Sequence, residues 1–325
     1  MHFPSSVHAW QQLLYISSLE TAQQFLLKKY MWLFPNHARK KSYENSSKFL
    51  HHIEQGKIFF QQSETAPLSI KPIFLFYGLS FLLKGALLIT DPNYPENVKV
   101  LAHGVSTRKR KKQDYEYLKD EVKIQKNGFF PHISKKMFHM EHLEGKKMNI
   151  GDLLCQIPEL MPFFQERNVS IIPLFSIGDG TFQIVDDVFD AFHMTPRRFF
   201  HYLNGKSNQG ALFQWGEDGV TFTVNEIKPP IEILPFRFHL MDQKYYFIDG
   251  ERSLSFFHEL LIHYLLLYHL SMLARYEIEW WSELLSMKST VEYPLIEQYL
   301  HICLLKCPLL IHQYLFDDET IEKKG

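Results

Sequence analysis

Five consecutive cations at positions 108–112 form the strongest chemical signal in this 325-residue sequence. The wider segment 108–136 holds ten lysines and arginines against four acids, an excess of six positive charges. Such a run can bind phosphates by releasing their counterions, although it is equally compatible with a solvated surface loop. The residues that this pattern nominates for phosphate or nucleic-acid contact are Arg108, Lys109, Arg110, Lys111 and Lys112.

A second candidate lies upstream, where Lys84 interrupts the apolar stretch 69–90. A lysine on a buried helix either extends its amine to the surface or pairs with an acid. Tyr77 and Ser80 precede it by seven and four positions, so the three side chains share one helical face. One interpretation is a polar pocket, and the other is a surface-reaching lysine beside two satisfied hydroxyls. Together with His103 in the following loop, Lys84 completes the predicted phosphate-binding set.

Several histidines and cysteines raise the question of metal chemistry. His258 and His263 resemble the histidine pair of a zinc protease, but they are five residues apart, which is about 140° around a helix. Cys303 and Cys307 are one helical turn apart, with no second pair of ligands beside them. Together with Cys155 they do not form a disulfide framework. We therefore favour buried free thiols over a metal or redox role, and predict no metal and no cofactor.

Motifs for nucleotide binding and ester hydrolysis are not found in the sequence. The glycines at 178–180 and 216–219 fit hairpin turns, because neither group follows a parallel strand and opens a helix. No serine occupies a G-x-S-x-G elbow. The formal net charge is −1, so attraction to nucleic acid or to an anionic membrane would have to come from a local patch.

The N-terminal residues and the cysteine content bear on the compartment. The start, MHFPSSVHAWQQ, lacks a basic segment followed by an apolar core, so no secretory signal is predicted. Three cysteines without a pairing pattern fit a reducing environment. We expect a cytoplasmic protein.

The element that must position Lys84 is the apolar stretch itself, which predicts a central helix over 69–90. Ser69 is the expected N-cap, Pro72 fits the first turn, and Asp91 before a proline predicts the end. A helix that is apolar on every face is either the core of a globular fold or a membrane span. Lys71 and Lys84 argue against lipid, so we predict a buried core helix and no membrane contact.

Helical patterns occupy both ends of the sequence, and β-type patterns occupy the middle. Ser17 with Glu20 predicts a capping box, and Asn45 is the expected cap of a second helix. One helix is predicted inside the β-rich part, with Thr195 as its cap and Pro196 in its first position. Hairpin turns are predicted at 127–128, 178–180, 216–219 and 241–243.

The predicted fold is α+β, mainly α, because the apolar helices at both ends need partners for their buried faces. The economical solution is a helical body built from the N- and C-terminal regions, with an inserted antiparallel β-rich region. The predicted parts are an N-terminal helical region 1–165 with a basic loop at 106–136, a β-rich insertion 166–252, and C-terminal helices 253–325 that pack on the N-terminal region.

An aromatic group at the end of the first late helix surrounds Arg275. Tyr276, Trp280 and Trp281 follow it directly in sequence. The favoured interpretation is core packing between the two helical ends, and the alternative is a contact between the arginine and an aromatic ring.

Four sequence blocks carry a family resemblance. They are SYEN at 42–45, the block 66–113 that contains the central apolar stretch and the basic run, DEVKIQKNGFF at 120–130 and LSMLARYEIEWW at 270–281. Together they resemble the YaaC-like proteins of Bacillus and related Firmicutes over essentially the whole chain, and the block 66–113 is specific. The resemblance implies an intracellular bacterial protein and assigns no reaction.

A second likeness lies within the same block. An apolar helix carrying Tyr77 and Lys84, followed by a loop with His103, is similar to the early helices of HEPN domains, which are often tied to RNA cleavage or nucleotide binding. The catalytic signature of those domains is an arginine followed closely by a histidine on a late helix, and Arg252 with His258 fits that spacing. The likeness implies that His258 is a general base on a ribose hydroxyl and that Arg252 stabilises the phosphorane.

Two functions therefore stand at this point. The first is a non-catalytic binding protein that contacts RNA or another phosphate-rich partner through its basic loop. The second is a HEPN-like, metal-independent ribonuclease that uses Arg252 and His258. The first is favoured, because the catalytic signature consists of only two residues.

Overall fold

The structure is a computed structural model of the chain. It describes residues 6–108, 115–164, 169–178, 180–206, 213–216, 221–224, 232–249 and 254–316. In this part of the chain the predicted class, α+β and mainly α, is confirmed, since helices dominate and three small antiparallel sheets accompany them.

The chain forms two compact units. The helical unit consists of residues 5–151 and 260–325, and the β-rich unit contains residues 152–259. The predicted three-part division at residues 165 and 252 stays a prediction, because both positions lie outside the described residues.

The regular elements of the described residues are the following, in chain order. The α-helices are α1 (Ser6–Leu14), α2 (Leu19–Leu33), α3 (Ala38–Thr65), α4 (Lys71–Thr90), α5 (Phe129–Phe138), α6 (Ile150–Cys155), α7 (Asp186–Phe192), α8 (Pro196–Lys206), α9 (Glu259–Tyr276), α10 (Ile278–Met287) and α11 (Glu292–Phe316). The strands are β1 (Val105–Thr107), β2 (Glu121–Ile124), β3 (Lys147–Asn149), β4 (Ser170–Pro173), β5 (Phe175–Gly178), β6 (Thr181–Gln183), β7 (Phe213–Trp215), β8 (Thr221–Val224), β9 (Glu232–Ile233), β10 (Phe236–His239) and β11 (Lys244–Asp249).

The helical unit is organised around α4, the predicted central helix. Helices α2, α3, α5 and α11 all pack against it, so most of its residues are buried. The helix ends at Thr90 with Asp91 as its C-cap, as the sequence predicts. Its start differs, because α4 has no side-chain N-cap and the carbonyl of Ser69 instead accepts a 3.0 Å hydrogen bond from the Trp281 indole N–H.

By length and composition, α4 and α11 could each cross a membrane. In the structure, 67% of the most apolar window of each helix is buried inside the protein. Such burial is typical of core helices in a globular unit. The predicted core position of α4 agrees with it, and the predicted absence of membrane contact stays a prediction.

Two N-terminal caps differ from the sequence prediction. The capping box of α2 uses Ser18 and Thr21 in place of Ser17 and Glu20, and the Ser18 hydroxyl accepts a 3.1 Å hydrogen bond from the Thr21 N–H. Asn45 is not a cap, because α3 begins seven residues earlier and Asn45 lies in its interior, only 2% exposed. Asparagine favours helix caps, but this asparagine forms buried hydrogen bonds instead.

The side chain of Asn45 makes its hydrogen bonds at the C-terminal end of α4. The side-chain amide of Asn45 donates to the Pro92 carbonyl at 2.8 Å and to the Tyr30 hydroxyl at 3.3 Å. Tyr30 in turn donates to the Leu88 carbonyl at 2.7 Å. The last carbonyls of a helix lack partners within it, so side chains of α2 and α3 satisfy the buried end of α4.

Small residues let α3 and α4 approach closely. A Cβ added to Gly56 would lie 2.6 Å from the Leu82 side chain, and one added to Gly85 would lie 2.8 Å from Ile53. Gly78 is similarly close to a facing ring. Any larger residue at these positions would push the two helices apart.

A three-stranded antiparallel sheet, in the order β1-β2-β3, lies beside α5 in the sequence. The strand predicted near 118–125 is present as β2. The hairpin turn predicted at Asn127–Gly128 is wrong, because the chain enters α5 directly after Gly128. Gly128 has φ of 127°, a conformation that glycine adopts at helix starts as readily as in turns.

The β-rich unit contains two four-stranded sheets, ordered β4-β11-β10-β9 and β5-β6-β8-β7. The predicted hairpin pairings around 178–180, 216–219 and 241–243 are confirmed, as β5–β6, β7–β8 and β10–β11. The Thr195 hydroxyl accepts a hydrogen bond from the N–H of Arg198 at 3.4 Å, so α8 starts as predicted. The sequence analysis missed α7, which is a single short helix of seven residues.

We expect Asn45→Ala to lower the free energy of unfolding by about 1–3 kcal/mol, because the buried Pro92 carbonyl would lose its donor. Urea denaturation followed by circular dichroism measures this change. The control is Ser42→Ala, since Ser42 is equally buried on α3 but its hydroxyl donates only to the Arg39 carbonyl of the same helix. Equal losses for both variants would contradict the role given to Asn45.

Candidate functional site

Lys84 lies half-buried on α4, between aromatic rings. Its amine nitrogen is 5.3 Å from the ring centroid of Phe81 and 5.8 Å from that of Phe129. Burial lowers the pKa of Lys84, and no acid in the described residues opposes that shift. The lysine therefore pairs with no carboxylate of the described residues and is only partly exposed to water, and both sequence interpretations of Lys84 stay predictions.

His103 lies next to α4 and α9 and is fixed by its backbone. Its carbonyl accepts hydrogen bonds from the Phe130 N–H and the Tyr264 hydroxyl, each at 3.1 Å. Its ring packs against Phe76 and Tyr268, with centroid separations of 5.1 and 5.6 Å. The imidazole is thus held between one residue of α4 and one of α9.

Two crossing loops set the position of His103. Gly104 has φ of 79°, and a Cβ there would lie 2.5 Å from Pro131. A Cβ on Gly128 would lie 2.3 Å from the Cα of Gly104, so the two backbones are in direct contact. Only glycine permits this approach, which fastens the loop of His103 to the start of α5.

Arg275, near the end of α9, is the second cation of this region, after Lys84. Its Nε donates to the Ser271 carbonyl at 3.0 Å, and one terminal nitrogen donates to the Tyr77 hydroxyl at 3.4 Å. Its guanidinium carbon lies 5.3 Å from the ring centroid of Tyr276. All of these partners are neutral, so Arg275 keeps its full charge available to an anion.

The aromatic group near Arg275 is only partly core, which corrects the sequence prediction. Trp281 is buried, as predicted. Tyr276 is 65% exposed, so its ring borders Arg275 from the solvent side. The alternative that the sequence left open, an arginine–aromatic contact, is the one observed.

We call Lys84, His103 and Arg275 the cationic cluster, in which Lys84 and Arg275 carry the positive charge. Burial lowers the pKa of His103 most strongly, and the positive charges of Arg275 and Lys84 lower it further. On the neighbouring α3, burial followed by the charge of Lys84 lowers the pKa of His52 to about 4. These shifts mark a partly desolvated region with excess positive charge, where a bound anion would be stabilised.

The other predicted site residues lie in different parts of the chain. Arg108 is exposed and directly follows β1, whereas the neighbouring cations at 109–112 lie outside the described residues. Arg252 also lies outside them. His258 is half-buried in the β-rich unit, after Phe257, whose carbonyl accepts a 2.7 Å hydrogen bond from the Arg237 guanidinium. The structure thus joins Lys84 with His103 and leaves the proposed pair of Arg252 and His258 untested.

Sequence analysis missed the part of the cluster that comes from α9. Tyr264, Tyr268, Ser271 and Arg275 follow one another at spacings of four, three and four, which places them on one helical face. This polar face of an otherwise apolar helix could have been recognised from the sequence. The proximity of this face to Lys84 could not be predicted, because α4 and α9 are far apart in the sequence.

A shallow pocket in the β-rich unit is a poor alternative site for phosphate. It has a volume of about 410 Å³ and is lined by Asp187, Asp190 and Asp249, among others. Three carboxylates would repel a phosphate group.

We expect the protein to lose stability as the pH falls from 6.5 to 4. Unfolded His52 takes up a proton near pH 6.5, whereas the folded protein keeps it neutral down to about pH 4. The unfolded state therefore binds more protons in this window, and the loss should be about 1.4 kcal/mol per pH unit. Melting temperatures across this range should depend less on pH in His52→Gln, while exposed His37→Gln, the control, should keep the original dependence.

The comparisons with known proteins give one match. The sequence model of the YaaC-like protein family matches residues 14–315, which is nearly the whole chain. Searches of curated proteins and of solved structures return no match. The likeness to HEPN domains receives no support. Because the match covers far more than half of the sequence, this chain belongs to the YaaC-like family.

Proposed function

We propose that this chain is a cytoplasmic, non-catalytic protein that binds single-stranded RNA, with one phosphate held at the cationic cluster. The observation that carries the proposal is the pair of half-buried cations Lys84 and Arg275 near the imidazole of His103, whose described partners include no carboxylate. Concentrated positive charge of this kind is stabilised by a phosphate dianion or diester.

The aromatic surroundings favour RNA over a small phosphate. The exposed ring of Tyr276 lies beside Arg275, and Tyr77 accepts a hydrogen bond from the same guanidinium. An exposed tyrosine next to an arginine is a platform on which an unpaired base can stack. Unpaired RNA offers both the phosphate and the base to such a platform.

The basic loop extends this site along the chain. Arg108 follows His103 by five residues, and an extended chain of that length spans at most about 17 Å. Arg108, the first residue of the basic run, therefore lies within a few nucleotides of the cluster. Successive RNA phosphates could contact the cluster first and the run next, which is how non-specific single-strand binding sites are built.

Lys84→Met should weaken binding of a 5′-labelled single-stranded RNA by roughly ten- to a hundredfold, since losing a charged hydrogen bond costs about 1.5–3 kcal/mol. Methionine is apolar and similar in length, so it suits the space between Phe81 and Phe129. Fluorescence anisotropy at fixed salt measures the change.

The matched control for this experiment is Lys71→Met. Lys71 lies on the same helix, thirteen residues earlier, or about 20 Å along the axis. It should bind RNA like the wild type. Equal affinities of the Lys84 and Lys71 variants would contradict the proposal, and so would RNA cleavage in EDTA that His258→Ala abolishes, because it would establish the ribonuclease.

Replacing the run 109–112 with glutamines should flatten the salt dependence of binding. Each phosphate contact with single-stranded nucleic acid contributes about 0.7 to the slope of log affinity against log salt. Four lost contacts should lower the slope by up to about 3, which a titration between low and moderate salt detects. An unchanged slope would contradict a contribution of the basic loop to RNA binding. The Lys84→Met variant would still test the cationic cluster separately.

A further inference from the structure

A second group of chemically competent side chains lies in the core of the helical unit, on α9 and α11. His263, Cys303 and Cys307 each offer a ligand atom, and these atoms lie within 4.8 Å of one another. All three side chains are buried, and both cysteines are free thiols. The sequence placed the two cysteines one turn apart, and the structure adds the histidine from a helix about forty positions earlier.

The distances match the ligand shell of a small tetrahedral ion. The Cys303 sulfur lies 3.5 Å from Nδ1 of His263. Zinc bonds of about 2.3 Å to sulfur and 2.0–2.1 Å to nitrogen, at a tetrahedral angle, separate those two atoms by about 3.5 Å. The Tyr299 hydroxyl is 3.3 Å from the same Nδ1.

Charge also favours an ion in this setting. Zinc binding would release one proton from each cysteine thiol, and the two thiolates would balance the charge of Zn²⁺. With a neutral imidazole, the assembled site carries no net charge, so its burial costs far less than burial of a single ion. Thiolate and imidazole are the ligands that zinc prefers in proteins.

We propose that His263, Cys303 and Cys307 bind one zinc ion that joins α9 to α11, with the Tyr299 hydroxyl close to the ligand atom of His263. This site departs from the sequence prediction of thiols without a metal. The proposal does not rest on the proposed RNA binding, because none of the zinc ligands belongs to the cationic cluster.

The full-length protein purified from medium supplemented with zinc should contain about one zinc per chain by mass spectrometry. Cys303→Ser and Cys307→Ser should each reduce that content at least about tenfold, since each removes a thiolate ligand. The control is Cys155→Ser, because Cys155 is the third buried thiol and lies in the β-rich unit. It should retain its zinc.

Cobalt exchange tests the ligand set in wild-type protein and so does not depend on how the variants fold. Replacement of zinc by Co²⁺ should produce a thiolate-to-cobalt charge-transfer band, which titration with a thiol-specific mercurial removes. Wild-type protein that holds less than about a tenth of an equivalent of zinc after refolding with zinc would overturn the proposal. Copper in place of zinc, or zinc retained in both cysteine variants, would overturn it as well.

Discussion

The helical unit depends on one constraint, which is that α4 is apolar around most of its circumference and must be covered by neighbouring helices. A helix of this kind is stable in water only when neighbouring elements bury it completely. The close packing of α3 at Gly56 and Gly85 covers one side, and α2, α5 and α11 cover others. Helices from both ends of the sequence are therefore needed around a single segment.

The same constraint makes Lys84 unusual. Burying the apolar side chains of α4 lowers the free energy of the folded state, but enclosing a lysine beside Phe81 and Phe129 removes water from a charge. Arg275 nearby adds a like charge to that region, and both cations lower the pKa of His103. No acid among the described residues compensates these charges, so the arrangement destabilises the folded state locally. Such local destabilisation is typical of binding sites.

Sequence reasoning succeeded where the determinants are local. The extent of α4, the three hairpins of the β-rich unit and the start of α8 follow from apolar runs and turn residues that act within a few positions. It failed where tertiary contacts decide the outcome. Asn45 has the chemistry of a cap but is used as a buried donor, and Gly128 begins a helix because Gly104 lies against it. For the site, Lys84 and His103 were predictable as polar exceptions, whereas Arg275 needed the pairing of α9 with α4.

Helix α9 contributes residues to both the cationic cluster and the proposed zinc site, from different faces of the helix. Tyr268 and Arg275 face the cationic cluster, and His263 is rotated from them by about 140° and 120° around the axis, so that it meets Cys303 of α11. The rotation of α9 therefore decides both contacts at once. An ion joining His263 to α11 would fix that rotation, and with it the distance between Arg275 and Tyr77 of α4. The buried cysteines and the half-buried cations would then be parts of one arrangement, in which the core of the helical unit fixes the position of the proposed RNA-binding surface.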